Sequence, residues 1–169
     1  MKTVHKVSIA LLTVFGLAGA AQAATILPQS ALTPSTTYYT DILGDQAVMT
    51  GGGSNANVNG VRNDDGFMGP IHLGFTLDFY GVEYTQFWAN NNGNLSFTQG
   101  LDAYTPEGPQ GATVPVISPF FADVDTRADA SGVMWVQNSA NQWVITWDEV
   151  GYYDSHADRL NSFQLVLRG

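Results

Sequence analysis

The sequence has 169 residues, no cysteine, and 15 acidic against six basic side chains, a formal net charge of −9. Without a thiol there is no cysteine nucleophile, no cysteine–zinc site, no c-type haem attachment and no disulfide framework. A chain this acidic repels phosphate backbones and anionic membranes, which argues against nucleic acid as a partner.

Met1 to Ala23 reads as a secretory signal peptide. Lys2, His5 and Lys6 form a basic start, Val7 to Ala21 is an apolar run, and Ala21-Gln22-Ala23 gives a small-x-small site. Cleavage is expected after Ala23. A short buried or membrane helix is the competing reading, but the run is short for a span and no stop-transfer charges follow. No later segment is apolar enough to cross a bilayer. Both lysines lie in this leader, so the remainder keeps four arginines against 15 carboxylates, a net charge of −11. That charge suits solubility outside the cell and the binding of divalent cations. The 146 residues after the leader suffice for one domain with a real core, much of it from the nine Phe, seven Tyr and four Trp of the chain.

Residues 24–62 read as a flexible N-terminal segment. Ala24 to Thr40 is rich in Thr, Ser and Pro and lacks a sustained period; Met49 to Gly60, MTGGGSNANVNG, has little side chain to bury. A phosphate-cradling glycine loop is a poor alternative, because no Lys-Ser/Thr follows and no helix opens after it.

Residues 63–169 carry the domain. From Pro70 the chain alternates: Ile71, Leu73, Phe75, Leu77 and Phe79 on one side, His72, Gly74, Thr76, Asp78 and Tyr80 on the other. A period of two predicts a strand with one buried and one wetter face. Phe87 to Asn90 and Leu95 to Phe97 flank Asn91-Asn92-Gly93-Asn94, whose Asn-Gly pair predicts a tight two-residue hairpin turn. Phe75, Phe79, Tyr84, Trp88 and Phe97 are expected in the core, and Gly81 and Gly93 in turns. Gln99 to Thr113 is turn-rich, broken by Pro106, Gly108, Pro109 and Gly111.

Then comes an acidic corner, Ser118-Pro119-Phe120-Phe121-Ala122-Asp123-Val124-Asp125-Thr126-Arg127. In an extended backbone Asp123 and Asp125 point to one side, and Asp129 follows within reach. Three hard carboxylates make Asp123, Asp125 and Asp129 candidate calcium ligands. The segment is no EF-hand: Arg127 and Ala128 stand at the fifth and sixth positions and Met134 where the last Glu belongs. Two other readings stay open. The carboxylates can accept backbone amides or pair with Arg127 or Arg159, or they can form an acid/base pair facing a cleft. Gly132 to Gln137 and Gln142 to Trp147 predict a hairpin around Asn138–Asn141. Asp148 and Glu149 are expected at a turn or facing solvent, and Gly151 to Asn161, with His156 and Asp158, as a loop. His5, His72 and His156 lack metal-ligand spacing, so zinc is not expected.

Read in order, these segments resemble the nidogen-like (NIDO) domain of extracellular proteins, in the form found in secreted bacterial proteins. The match runs through Leu73-Gly74-Phe75, Phe79-Tyr80-Gly81, Tyr84, Asn90 to Phe97, Pro119 to Thr126, Thr146-Trp147 to Gly151, and Asn161 to Leu167. Nidogen-like domains ordinarily continue with further strands, so the resemblance implies a β domain incomplete at its C-terminus, with any C-terminal anchor missing. The expected fold is all-β, an antiparallel two-sheet sandwich-like domain with long Gly/Asn/Pro-rich loops, preceded by the signal peptide. The function that the resemblance implies is a non-catalytic extracellular module for cell–matrix adhesion or surface and matrix assembly, its partners matrix or cell-surface proteins or polysaccharides. The alternatives are a calcium-dependent carbohydrate-binding module, or a glycan-acting hydrolase using Asp123, Asp125 and Glu149.

Overall fold

A computed structural model of the chain describes residues 5–8, 34–40, 44, 46–48, 55–59, 61–106, 113–139 and 141–169. Among them there are strands and no helix, and none is therefore long and apolar enough to cross a membrane. The strands are β1 (His5–Ser8), β2 (Pro34–Ser35), β3 (Gln46–Val48), β4 (Asn55–Asn59), β5 (Arg62–Asp64) and β6 (Phe67–Phe79). They continue with β7 (Val82–Asn90), β8 (Asn94–Ser96), β9 (Val116–Ile117), β10 (Met134–Ser139), β11 (Gln142–Tyr152) and β12 (His156–Arg168). The fold is the expected all-β sandwich. A six-stranded sheet, β2-β1-β12-β11-β10-β3, packs on a four-stranded sheet, β6-β7-β8-β9, and β4-β5 forms a separate pair.

The alternation in β6 does what its period predicts. Leu73 is buried, Ile71, Phe75, Leu77 and Phe79 pack against the core, and His72, Gly74, Thr76 and Asp78 are exposed. Facing them, Trp143 and Ile145 of β11 and Phe163 and Leu165 of β12 come from the other sheet. Trp143 ties the layers twice: its ring meets Phe87 edge-on at 5.4 Å and its indole N–H donates to the Leu73 carbonyl at 2.9 Å. Burying the indole without that acceptor would leave a donor stranded between the sheets.

Three local expectations differ from the structure. The hairpin turn has three residues, not two: Asn90 pairs with Asn94, leaving Asn91, Asn92 and Gly93, with Gly93 at φ +77°. A Cβ on Gly93 would lie 1.8 Å from the Phe120 carbonyl oxygen, so glycine is required there by both backbone and neighbour. Asn55–Asn59, expected as loop, is strand β4, because backbone pairing with β5 supplies the order that its small side chains cannot. Residues 49–54 and 60 of that stretch lie outside the described residues. Gly151 to Asn161 is not a loop: β11 runs to Tyr152, β12 begins at His156, and Tyr152 stacks on His156 at 5.0 Å. Of the expected leader, only His5–Ser8 is described, and it is a strand beside β12; the apolar run and the cleavage site lie outside the described residues.

Candidate functional site

The Asn-rich turn between β7 and β8 and the Asp123–Arg127 segment meet at one end of the sandwich. Asn90, Asn91, Asn92 and Asn94 are each at most 1% exposed, and their carboxamides act as internal struts. Asn90 donates to the Asn94 side-chain oxygen at 2.7 Å and to Ser96 Oγ at 3.0 Å, and accepts from the Leu101 amide at 3.0 Å. Asn91 donates to the Val124 carbonyl, and its own carbonyl accepts the Trp147 indole N–H at 2.9 Å. Asn92 accepts from the Val124 amide at 2.9 Å and donates to Asp65 Oδ1 at 2.8 Å. Buried polar groups survive only when bonded, and here the turn and the acidic segment satisfy each other.

Arg127 is the centre of the charge distribution. Its Nε donates to Asp125 Oδ1 at 2.9 Å and its Nη2 to Asp125 Oδ2 at 2.6 Å, a two-pronged pair. The same Nη2 lies 2.8 Å from Asp64 and 3.2 Å from Asp154. Asp125 is completely buried and also accepts the Arg127 and Ser155 amides, at 2.9 and 2.7 Å. Burial opposes its ionisation, but the hydrogen bonds from Arg127 and from Ser155 outweigh burial and hold its carboxyl below the ordinary value. Asp64 behaves oppositely although it too touches Arg127. Burial first, then the charges of Asp125 and Asp65, push it up to about 7. The difference is physical: Asp125 takes two donors of the guanidinium and two backbone amides, leaving Asp64 a shared Nη2 and nearby repulsion.

Three carboxylates converge beside this pair. Asp64, Asp65 and Asp123 each place an oxygen within 4.8 Å of the others, and Asp123 is raised by burial and by the charges of Asp65 and Asp125. Asp65 joins the group because its φ of +63° ends β5 and turns the chain. The buried carboxamide oxygens of Asn63, which precedes Asp64, and of Asn91, which precedes the Asp65 partner Asn92, have no hydrogen-bond partner among the described residues.

Of the sequence-derived ligands, Asp123 belongs to this cluster, Asp125 is engaged by Arg127, and Asp129 is exposed on the following turn. The Asp129 carbonyl accepts from Arg62 at 3.3 Å, and Arg62 also binds the carbonyls of Thr126, Ala128 and Ser131 at 2.8 to 2.9 Å. Arg62 thus fixes the loop that carries Arg127, a role no local pattern announces. Asp148 accepts the Tyr38 hydroxyl at 2.6 Å, and Glu149 is exposed at φ +49° on β11.

Comparison with known proteins adds a relationship to this geometry. A family model described as NIDO related matches residues 31–168, starting well before residue 63, where the sequence reading begins the domain. Nidogen of Drosophila melanogaster is 29% identical over 143 residues, covering 62% of this chain and 10% of the relative. Alpha-tectorin of Homo sapiens and of Mus musculus are each 31% identical over 129 residues, covering 62% of this chain and 6% of the relative. The chain therefore spans a tenth or less of the length of these relatives. No solved structure gives a match.

Proposed function

The chain belongs to the NIDO-related family, and from that membership we propose that it is a non-catalytic extracellular interaction module, serving cell–matrix adhesion or the assembly of a surface or matrix layer. Its partners on this reading are matrix or cell-surface proteins or polysaccharides, met after export through a leader cleaved behind Ala23. The observation that supports it is how the acidic corner is used. Asp125, with its oxygens bonded to Arg127 and Ser155, fastens its own segment to the turn at Ser155, and those bonds hold its carboxyl below the ordinary value. A carboxylate so engaged is a poor proton carrier, since catalysis needs a group poised to gain and lose its proton. That weighs against a hydrolase built on Asp123, Asp125 and Glu149. Purified exported protein should be retained on immobilised matrix or surface polymers and show no turnover. Hydrolysis of any glycan in a broad screen, abolished by Asp123→Asn, would overturn the proposal.

The convergence of Asp64, Asp65 and Asp123 favours a second reading, a calcium-stabilised module. The donor set fits: hard carboxylate oxygens, with the partnerless carboxamide oxygens of Asn63 and Asn91 in the same corner. Bound there, calcium would supply charge compensation for the carboxylates that Arg127 leaves unbalanced. Calcium should then raise the melting temperature over that in chelator, and Asp123→Asn should abolish the difference. Identical melting temperatures in calcium and chelator would sink this reading.

A further inference from the structure

β12 is paired on one side with β11, from Gln142↔Arg168 to Tyr152↔His156. Its other side, at Asn161–Gln164, carries β1, running parallel from His5↔Asn161 to Ser8↔Gln164. The other named strand pairs of the structure are antiparallel. On its other side β1 pairs with β2 at two positions among the described residues, Lys6↔Ser35 and Val7↔Pro34. The four residues of β1 belong to the segment that the sequence marks for removal on export.

We propose that the Asn161–Gln164 edge of β12 is a strand-acceptor site, filled by His5–Ser8 in the uncleaved chain and afterwards by an extended basic segment of a partner protein. The inference rests on the export and interaction-module readings given above. Three observations carry it. The edge is rigid, because Phe163 and Leu165 are buried in the core and β11 fixes the opposite side of the strand. Its side chains are already engaged: Ser162 Oγ accepts the Glu149 amide at 3.0 Å, and Gln164 donates to Thr146 at 2.9 Å and accepts the Thr40 amide at 3.2 Å. What an incoming strand meets is therefore the row of main-chain donors and acceptors, the part that gives affinity in strand addition. Charge then chooses the occupant. The chain after Ala23 carries −11, which disfavours a second copy, whereas the resident strand contains His5 and Lys6 and lies close behind Lys2.

Amide hydrogen exchange tests the proposal on the full chain. The double substitution Lys6→Pro, Val7→Pro removes the N–H facing β12 whichever of the two it is, since neighbouring amides of a strand point to opposite sides. In the unsubstituted chain the Asn161–Gln164 amides that face β1 should exchange slowly. In the substituted chain they should lose that protection while β11 keeps its own, which separates edge opening from failure to fold. A synthetic peptide of residues 2–10 should restore protection, and the same peptide with His5→Glu and Lys6→Glu should not. Retained protection in the substituted chain at monomer mass, restoration by the acidic peptide, or protection accompanied by dimer mass would each overturn the proposal. Matrix retention is a separate readout: a chain that takes up the peptide yet binds no polymer refutes the module reading alone.

Discussion

Replacing Arg127 by Met tests whether the corner is a charge latch. Methionine keeps much of the aliphatic volume and removes the guanidinium that Asp64, Asp125 and Asp154 share. Asp154 is exposed and should contribute little, as surface pairs are worth roughly 0–1 kcal/mol. Asp64 and Asp125 are each at most 1% exposed, so both would be left buried without a counter-charge. Breaking a buried pair in this way costs about 3–5 kcal/mol. Asp64 can escape by taking a proton, being already pushed up to about 7. Asp125 would keep only the Arg127 and Ser155 amides as donors. The variant should therefore lose about 3–5 kcal/mol at pH 8, and markedly less at pH 5 where the stranded carboxyls protonate more readily. Denaturant unfolding at the two pH values reads both quantities, and adding Asp125→Asn should recover part of the loss. A loss under about 1 kcal/mol, or one that does not change with pH, would refute the latch.

Three other perturbations follow from the same geometry. Between the ordinary Asp64 value of 3.8 and its folded value of about 7, the unfolded chain releases a proton that the folded chain keeps. Its contribution is thus complete below pH ~4 and falls away as pH rises toward ~7, by on the order of 2–4 kcal/mol, a slope that Asp64→Asn should flatten in unfolding titrations. Asp125 has the opposite sign: its depressed carboxyl stabilises above the ordinary carboxylate range and loses that contribution as acid carries the pH down through its folded value. Gly93→Ala forces a Cβ to 1.8 Å from the Phe120 carbonyl oxygen at φ +77°, and should cost more than the ~1–2 kcal/mol of left-handed backbone alone. An unchanged melting temperature would contradict the turn geometry. Trp147→Phe keeps an aromatic ring against Phe163 but removes the donor to the Asn91 carbonyl, with an expected loss of about 1–3 kcal/mol in denaturant unfolding.

How much of this was legible in the sequence depends on the range of the cause. β6 was readable because burial of one face writes itself into neighbouring positions, Ile71 through Phe79. The hairpin's location was readable from Asn-Gly, but its length was not: three residues fit because Gly93 must slip under the Phe120 carbonyl, a partner 27 positions away. The acidic corner was half readable. Asp123 and Asp125 stand out as a pair, yet their partners Asp64 and Asp65 lie far upstream, and adjacent strand residues would ordinarily point apart. Only the positive φ of Asp65 brings the two together. Asp125 and Asp123 also part company, one to Arg127 and one to the upstream carboxylates, because Arg127 can satisfy only the nearer one with both prongs. The sequence offered Arg127 and Arg159 equally as partners, and nothing local separates them. The Gly151–Asn161 stretch looked like loop because its residues are polar; Tyr152, His156 and Asp158 instead satisfy one another across a tight turn.

The fully buried Trp147 stacks on Phe163 at 4.8 Å and points its N–H into the Asn91 carbonyl. Asn91 in turn grips the backbone between Asp123 and Asp125. The molecule thereby carries its own optical reporter: the emission wavelength of this indole depends on a hydrogen bond made at the far end of the acidic corner. Events at the carboxylates, whether protonation, a cation or a docked chain, should therefore reach the Trp147 share of the emission, which it divides with Trp88, Trp135 and Trp143.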